Sequence, residues 1–318
     1  MADELELLRR ANPVPVDGPH FGEGPLDHNA ERHLDRLMRQ RTPRRPRPAW
    51  GLAATAVVAA LVSALLFTGQ TTAPAVAAPR PLLVQADSTP VSLKTLAERA
   101  QAAAADGSPK LRKGTHVQSW SIGMSDNKPP ITVPEERIVR WNADDSHTEI
   151  VVATDPLHPG RPVLGEEGKL VEDGHVLSEQ TYPPSWSDAP PQSPPPTDVA
   201  RLRAYLQEAA YSKTPLNTRE LLDAVESLLG TWTLGARESA TVARLLAETE
   251  GLRPLGQVTD RLGRRGLAYM YDRPGARKML IMDPATGAVL GLETTFSKAD
   301  PQYGVKAGDV MSYSAWMR

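Results

Sequence analysis

The chain has 318 residues, with 36 Lys and Arg against 38 Asp and Glu, and it contains no cysteine. That length suits one good-sized domain with appendages, and the near-neutral charge gives no global pointer to a nucleic-acid partner. The missing cysteines exclude disulfides, zinc–thiolate sites, lipoprotein anchoring and cysteine nucleophiles. Abundant Ala, Arg, Pro and Leu with little Phe and Lys suggests a GC-rich bacterial genome.

Residues 1–48 read as a cytoplasmic tail, acidic at the front and basic at the end. Two amphipathic pieces stand out in it. One carries Leu5, Leu7 and Leu8, and the other carries Leu34, Leu37 and Met38 at helical spacing. Neither buries enough apolar surface alone, so the tail is expected to stay loosely ordered until a partner docks on those side chains. The plainer reading is a solvated topology signal.

Residues 49–69 form an apolar run with no charged side chain between Trp50 and Gly69, and ahead of Thr68 at its end only Thr55 and Ser63 interrupt its apolar side chains. A helix rises about 1.5 Å per residue, so roughly 20 such residues cross a hydrocarbon core of about 30 Å. Arg39, Arg41, Arg44, Arg45 and Arg47 crowd the N-terminal side, and the first charge beyond the run is Arg80. This asymmetry predicts a single span with the N-terminus in the cytoplasm and the C-terminal part outside. The competing reading is a signal peptide cut after Ala75-Val76-Ala77. The long region ahead of the run and the length of the run itself argue against it.

Residues 70–90 are Ala/Pro-rich and read as an extended linker. A folded domain is expected over 91–318. It opens with a helix over 92–105, followed by strands over 116–122, 136–141 and 148–153, the last two joined by the turn NADDS. Seven prolines between Pro183 and Pro196 exclude helix or central strand there. Three helices follow. The first is capped at Thr197 or Asp198, the second carries an Asn217/Glu220 capping box, and the third runs over 236–250. Strands return over 267–271, 278–282, 289–296 and 310–317, with Asp283-Pro284 and Gly287 marking one turn. Short connections predict an antiparallel sheet, giving an α+β domain with a three-helix insertion.

No site for chemistry emerges. The spacing of Gly160 and Gly165 suits a phosphate loop, but Glu166 stands where lysine is needed. Ser119 and Ser121 lie within an alternating strand and not on a nucleophile elbow. The seven histidines are scattered. Asp144, Asp145 and His147 have metal-binding side chains but fall in an expected hairpin tip. Trp120, Trp141, Trp186, Trp232 and Trp316, with Tyr269, Tyr271 and Tyr313, read first as core and second as the lining of an apolar cavity. The expectation is a non-enzyme without cofactor or metal and without direct nucleic-acid binding.

The opening ELELLRRANPV, the arginine-flanked span, and the stretches GLRPLGQVTDRLGRRGLAYMYD and MLIMDPATGAVLGLE resemble a family of uncharacterised actinobacterial single-pass membrane proteins. These are often encoded beside extracytoplasmic-function sigma factors. In that resemblance Gly256, Asp260, Gly263 and Gly266 mark turns, and 283–287 marks a hairpin. The outer part is also similar to the half-barrels of lipoprotein carriers and sigma-regulator sensors. The resemblance implies a plasma-membrane regulatory protein whose tail contacts a sigma factor. The alternative is a tethered extracytoplasmic carrier of a hydrophobic ligand. Many membrane-bound anti-sigma factors place an H-x-x-x-C-x-x-C zinc helix in this tail, and here no cysteine is available for one.

Overall fold

The computed structural model describes residues 79–124, 130–165, 169–184 and 189–317. The tail with its leucines, the apolar run 49–69 and the candidate cleavage point after Ala77 lie outside the described residues. Among the described residues no helix is long and apolar enough to cross a membrane.

The described part is α+β. Helix α1 (Leu93–Ala103) precedes β1 (Arg112–Gly123), β2 (Ile131–Trp141), β3 (His147–Ala153), a small hairpin of β4 (Val163–Leu164) and β5 (Leu170–Val171), and β6 (His175–Tyr182). Helices α2 (Val199–Ala209), α3 (Thr218–Leu229) and α4 (Ala236–Ala247) follow, with β7 (Trp232–Thr233) between the last two. The chain then returns to strands: β8 (Arg253–Thr259), β9 (Arg265–Arg273), β10 (Ala276–Met282), β11 (Val289–Phe296) and β12 (Val310–Trp316).

All pairings are antiparallel, and the strand order is β6-β3-β2-β1-β12-β11-β10-β9-β8, with β7 beside β1. Two meanders, one before the helices and one after, are therefore joined by their first and last strands. Val117 stands opposite Trp316, and Trp120 opposite Tyr313.

Side chains alternate faces along each strand. Val117, Leu267, Tyr269, Leu280, Met282, Leu292 and Trp316 face one core with the four helices. Trp120, Ala268, Met279, Ile281, Tyr313 and Ala315 face a second, smaller core on the opposite side. The helices present leucines at three- and four-residue spacing, and Leu96, Leu202, Leu206, Leu221, Leu222, Leu228, Leu245 and Leu246 are fully buried.

Local signals set the helix starts. Ser92 accepts from the Thr95 amide (3.1 Å) and Asp198 from the Arg201 amide (2.9 Å). Asn217 and Glu220 close a reciprocal box at 3.1 and 2.9 Å. Lys278 then ties β10 to α3, its ammonium 2.7 Å from Asp223 and 2.9 Å from Glu226.

Several elements depart from the sequence reading. β6 was not expected, because its exposed residues HVLSEQTY lack an apolar alternation. β8 was not expected because Pro254 and Gly256 interrupt it, and a register shift there absorbs them. Gly256 thus lies in a strand irregularity and Gly266 in β9, where a Cβ would meet Ile281; neither marks a turn. Asp260 and Gly263 do mark one, with the Gly263 amide donating to the Asp260 carbonyl at 3.0 Å.

The hairpin tip between β10 and β11 tucks into the helical layer. Asp283 accepts from the amides of Ala285 (3.0 Å) and Thr286 (2.7 Å), and Gly287 adopts φ 65°. A Cβ on Gly287 would stand 2.7 Å from the Ala100 methyl of α1 and 3.1 Å from the Ala243 methyl of α4. Gly287→Ala combines left-handed strain with overpacking and should cost about 2–4 kcal/mol, read as a lower urea midpoint with an unchanged slope.

Candidate functional site

The residues that carry recognisable chemistry do not converge. Asp144 turns back to the Ser146 amide (3.0 Å) and hydroxyl (2.6 Å), which holds its carboxyl below the usual carboxylate range. Asp145 pairs with Lys113 at 2.6 Å, and His147 stacks between Trp141 and Tyr182 with ring centroids 4.2 and 4.7 Å away. The three candidate metal ligands of this hairpin therefore point to separate neighbours. Among the described residues no group of three His, Asp or Glu side chains is placed to hold a metal.

Ser119 donates weakly to the Glu135 carbonyl (3.4 Å) and so fills a sheet position. The Gly160 amide donates to Asp173 (2.6 Å), so the glycine-spaced loop closes on a carboxylate of its own. A bond from the Thr154 hydroxyl, and then this one, lower the Asp173 pKa. Among the other histidines, His116 pairs with Glu136, and His158 with Asp155 at 2.8 Å. The aromatics divide between the two cores. Trp232, Trp316 and Tyr269 lie with the helices, while Trp120 and Tyr313 lie on the opposite face, rings 5.3 Å apart. They line no common cavity, and Trp186 lies outside the described residues.

Two features remain. The first is a strap. The end of the expected linker lies along the sheet: Val84 bridges to Val258, the Gln85 amide donates to the Gln257 carbonyl (2.8 Å), and the Gln257 amide donates to the Ser88 hydroxyl (2.9 Å). Its anchor is a buried ion pair on the second core. Glu293, on β11, and Arg261, in the β8–β9 turn, are 1% and 5% exposed and joined directly. Glu293 also accepts from the Leu82 amide (2.8 Å), and Arg261 donates to the Arg80 carbonyl (2.9 Å). The guanidinium carbon lies 5.1 Å from the Tyr313 ring centre. Two opposite charges of the core thus hold Arg80 and Leu82 at the start of the strap.

Burial pushes the Glu293 carboxyl upward, and Arg261 with the Leu82 amide only partly offsets this. Burial likewise raises the Tyr313 phenol, which stays protonated.

The second feature is a groove of about 380 Å³ between α2 and α3. Leu206, Ala224 and Leu228 form its buried floor, with Leu216 beside them, and Glu220 and Asp223 stand on its exposed rim. One end is closed by the proline segment. The Pro191 carbonyl accepts from Trp232 Nε1 (2.7 Å) and from the Tyr205 hydroxyl (2.9 Å), whose pKa burial raises to about 12, so it remains a donor at neutral pH. Ala209 also lines this groove.

Sequence reasoning missed both. A signal for the first was present: Glu293 occupies an inward position of the apolar strand VLGLETTF, where an unpaired carboxylate would be prohibitive. The groove left no signal, because its walls are alanines and leucines indistinguishable from core.

No protein-family model matches the chain, and no curated protein matches it. Among solved structures, the dehydratase domain from the CurK module of Curacin polyketide synthase aligns with 75% of this chain and 84% of its own length, at 8% identity and a TM-score of 0.12. At that score the alignment carries no argument about fold or activity.

Two outcomes test the ion pair. Arg261→Met removes the cation that holds the buried Glu293 carboxyl and should cost about 3–5 kcal/mol, whereas Glu293→Leu with Arg261→Met should recover most of that loss while leaving the strap open to protease. The second outcome concerns pH. Below about 4.5, the usual value of this carboxyl, folded and unfolded chains both hold the proton and the site contributes no slope. As pH rises, the unfolded chain releases it first, so stability from this site declines until the raised folded value is passed. Urea midpoints measured from pH 4 upward should show that decline in the native chain and lack it in Glu293→Gln.

Proposed function

We propose that the chain is a single-pass regulatory or sensory protein of the plasma membrane, with its tail in the cytoplasm and its α+β domain outside. In this reading the domain registers an envelope state or ligand and the tail passes it to a cytoplasmic partner, a sigma factor. The tail side chains that would dock are Leu5, Leu7, Leu8, Leu34, Leu37 and Met38. The protein would act by binding and not by catalysis.

The observation that supports this reading best is the strap. It lies between the apolar run and α1, so any force or motion passing between span and domain must pass through it. A tether with no signalling role needs only a flexible linker. Here the corresponding backbone is fastened at Leu82 and Arg80 to two buried charges that also contact Tyr313 and β11. A change on the second face of the sheet would therefore reach the strap through those charges, and a buried pair that loses one contact is strongly destabilised.

The carrier reading has the α2–α3 groove in its favour. Binding sites for small molecules occupy roughly 300–1,000 Å³ and enclose most of the ligand. This groove falls at the low end of that range, and its rim residues Ala210, Glu220, Asp223 and Ser227 are exposed, so one side of a ligand would stay in water. A carrier shields its cargo, and this geometry favours the regulatory reading.

Affinity capture from lysate with residues 1–48 as bait should recover a sigma factor, and Leu34→Ser with Leu37→Ser should abolish recovery. Reporter fusions should place the two termini on opposite sides of the membrane. Both termini on one side, or a mature chain beginning at Ala78, would end the proposal. Native mass spectrometry tests the carrier reading, since a carrier retains a lipid-sized mass.

A further inference from the structure

The loop between α2 and α3 contains a residue that the fold does not explain. α2 ends at Ala209, and the turn after it is closed by the Tyr211 amide donating to the Glu208 carbonyl (2.9 Å) and the Ser212 amide donating to the Gln207 carbonyl (3.1 Å). Such a helix end puts one residue in the left-handed region, where glycine is the ordinary choice. Here that residue is Tyr211, at φ 52°. Its side chain is 84% exposed, the most exposed large hydrophobic side chain among the described residues. The strain is therefore not offset by burial inside this chain. Held strain of this kind marks positions that serve a contact elsewhere.

The neighbours of Tyr211 say what that contact is. Ala210 and Ser212, on either side of it, both line the α2–α3 groove, so a projecting aromatic stands beside an apolar hollow. A void of about 150 Å³ already holds a benzene ring, and the groove offers about 380 Å³. Charge follows the same division. Lys213, two residues beyond the tyrosine, makes no ion pair among the described residues, while the groove rim carries Glu220; the other rim carboxylate, Asp223, is already engaged by Lys278 and Arg219. Glu220 spends one oxygen on the Asn217 amide and has no cationic partner there. The surface thus combines an aromatic next to a cation with an apolar hollow next to a carboxylate.

A surface that carries both a shape and its complement is self-complementary under a two-fold axis. We infer that a second copy of the chain occupies this groove: Tyr211 of each copy enters the α2–α3 groove of the other, and Lys213 meets Glu220 across the pair. Tyr is among the residues that dominate interface energetics, and here it is presented at no cost of withdrawal from a core. The inference does not rest on the regulatory reading, although confinement to a membrane would raise the effective concentration of the copies.

The test uses the full chain in mild detergent, with dimerisation followed by sedimentation. The native chain should form a concentration-dependent dimer. Tyr211→Gly should weaken that dimer by at least about thirtyfold, the loss expected for a central anchor. Tyr211→Phe keeps the ring and should keep the dimer within about threefold, and Lys213→Glu should weaken it several-fold through its charge. A native chain that stays monomeric or a dimer untouched by Tyr211→Gly would each overturn the inference. So would a monomer that retains a bound lipid. None of these results bears on capture of a sigma factor by the tail, so the two readings fail separately.

Discussion

The pairing of β1 with β12 is the constraint on which the domain depends. Each meander is local, made of neighbouring strands joined by short turns, and each exposes an edge. The register that sets Val117 opposite Trp316 and Trp120 opposite Tyr313 turns two open sheets into one. It also sets the side-chain parity across the junction, so that residues from both ends of the domain share each face. A slip by one residue would send Trp120 into the helical layer and Val117 away from it. The helices inserted between the meanders can pack on a single continuous surface only because this junction holds.

One consequence is a sheet with two covered faces in its second half. β10 is apolar on both sides because its inner face meets the helices and its outer face meets Leu82, Val84 and the β8–β9 turn. The strap is therefore a structural element and not a tether alone. Its fastening point is costly in isolation, since a carboxylate and a guanidinium are both removed from water. Their mutual contact, the strap amide and carbonyl, and the nearby aromatic faces of Trp120 and Tyr313 offset that cost together. Because the compensation is shared, the pair, the strap and the outer core form one cooperative unit.

The helical insertion shows the opposite economy. α3 is tied down by its capping box, by Lys278 and by a full leucine stripe. Its partner α2 packs closely at Leu202 and Leu206, but toward its C-terminus it offers only Ala209 and Ala210, and the space between the helices opens there. At that opening the chain places an exposed tyrosine in a backbone conformation suited to glycine. Stability has been given up at one position in a domain that is elsewhere capped and packed with care.

How much of this was legible in the sequence depended on the range of the interaction involved. The helices and their starts were readable, because Ser92, Asp198 and the Asn217/Glu220 box act within one turn, and a leucine stripe reports its own periodicity. The hairpin at 283–287 was readable for the same reason. β6 and β8 were not: one has exposed residues with no pattern, the other has Pro254 and Gly256 in its path, and both exist because a neighbouring strand supplies hydrogen-bond partners. The strap read as a linker, since Ala and Pro report chain stiffness and cannot report what the chain lies against. Sequence alone determined the class of domain, its helices, and the apolar run ahead of it, because those follow from near-neighbour chemistry. Only the tertiary structure decided that Glu293 finds Arg261, that β12 returns to β1, and that Tyr211 stands unburied beside a hollow, because each depends on residues brought together from distant parts of the chain.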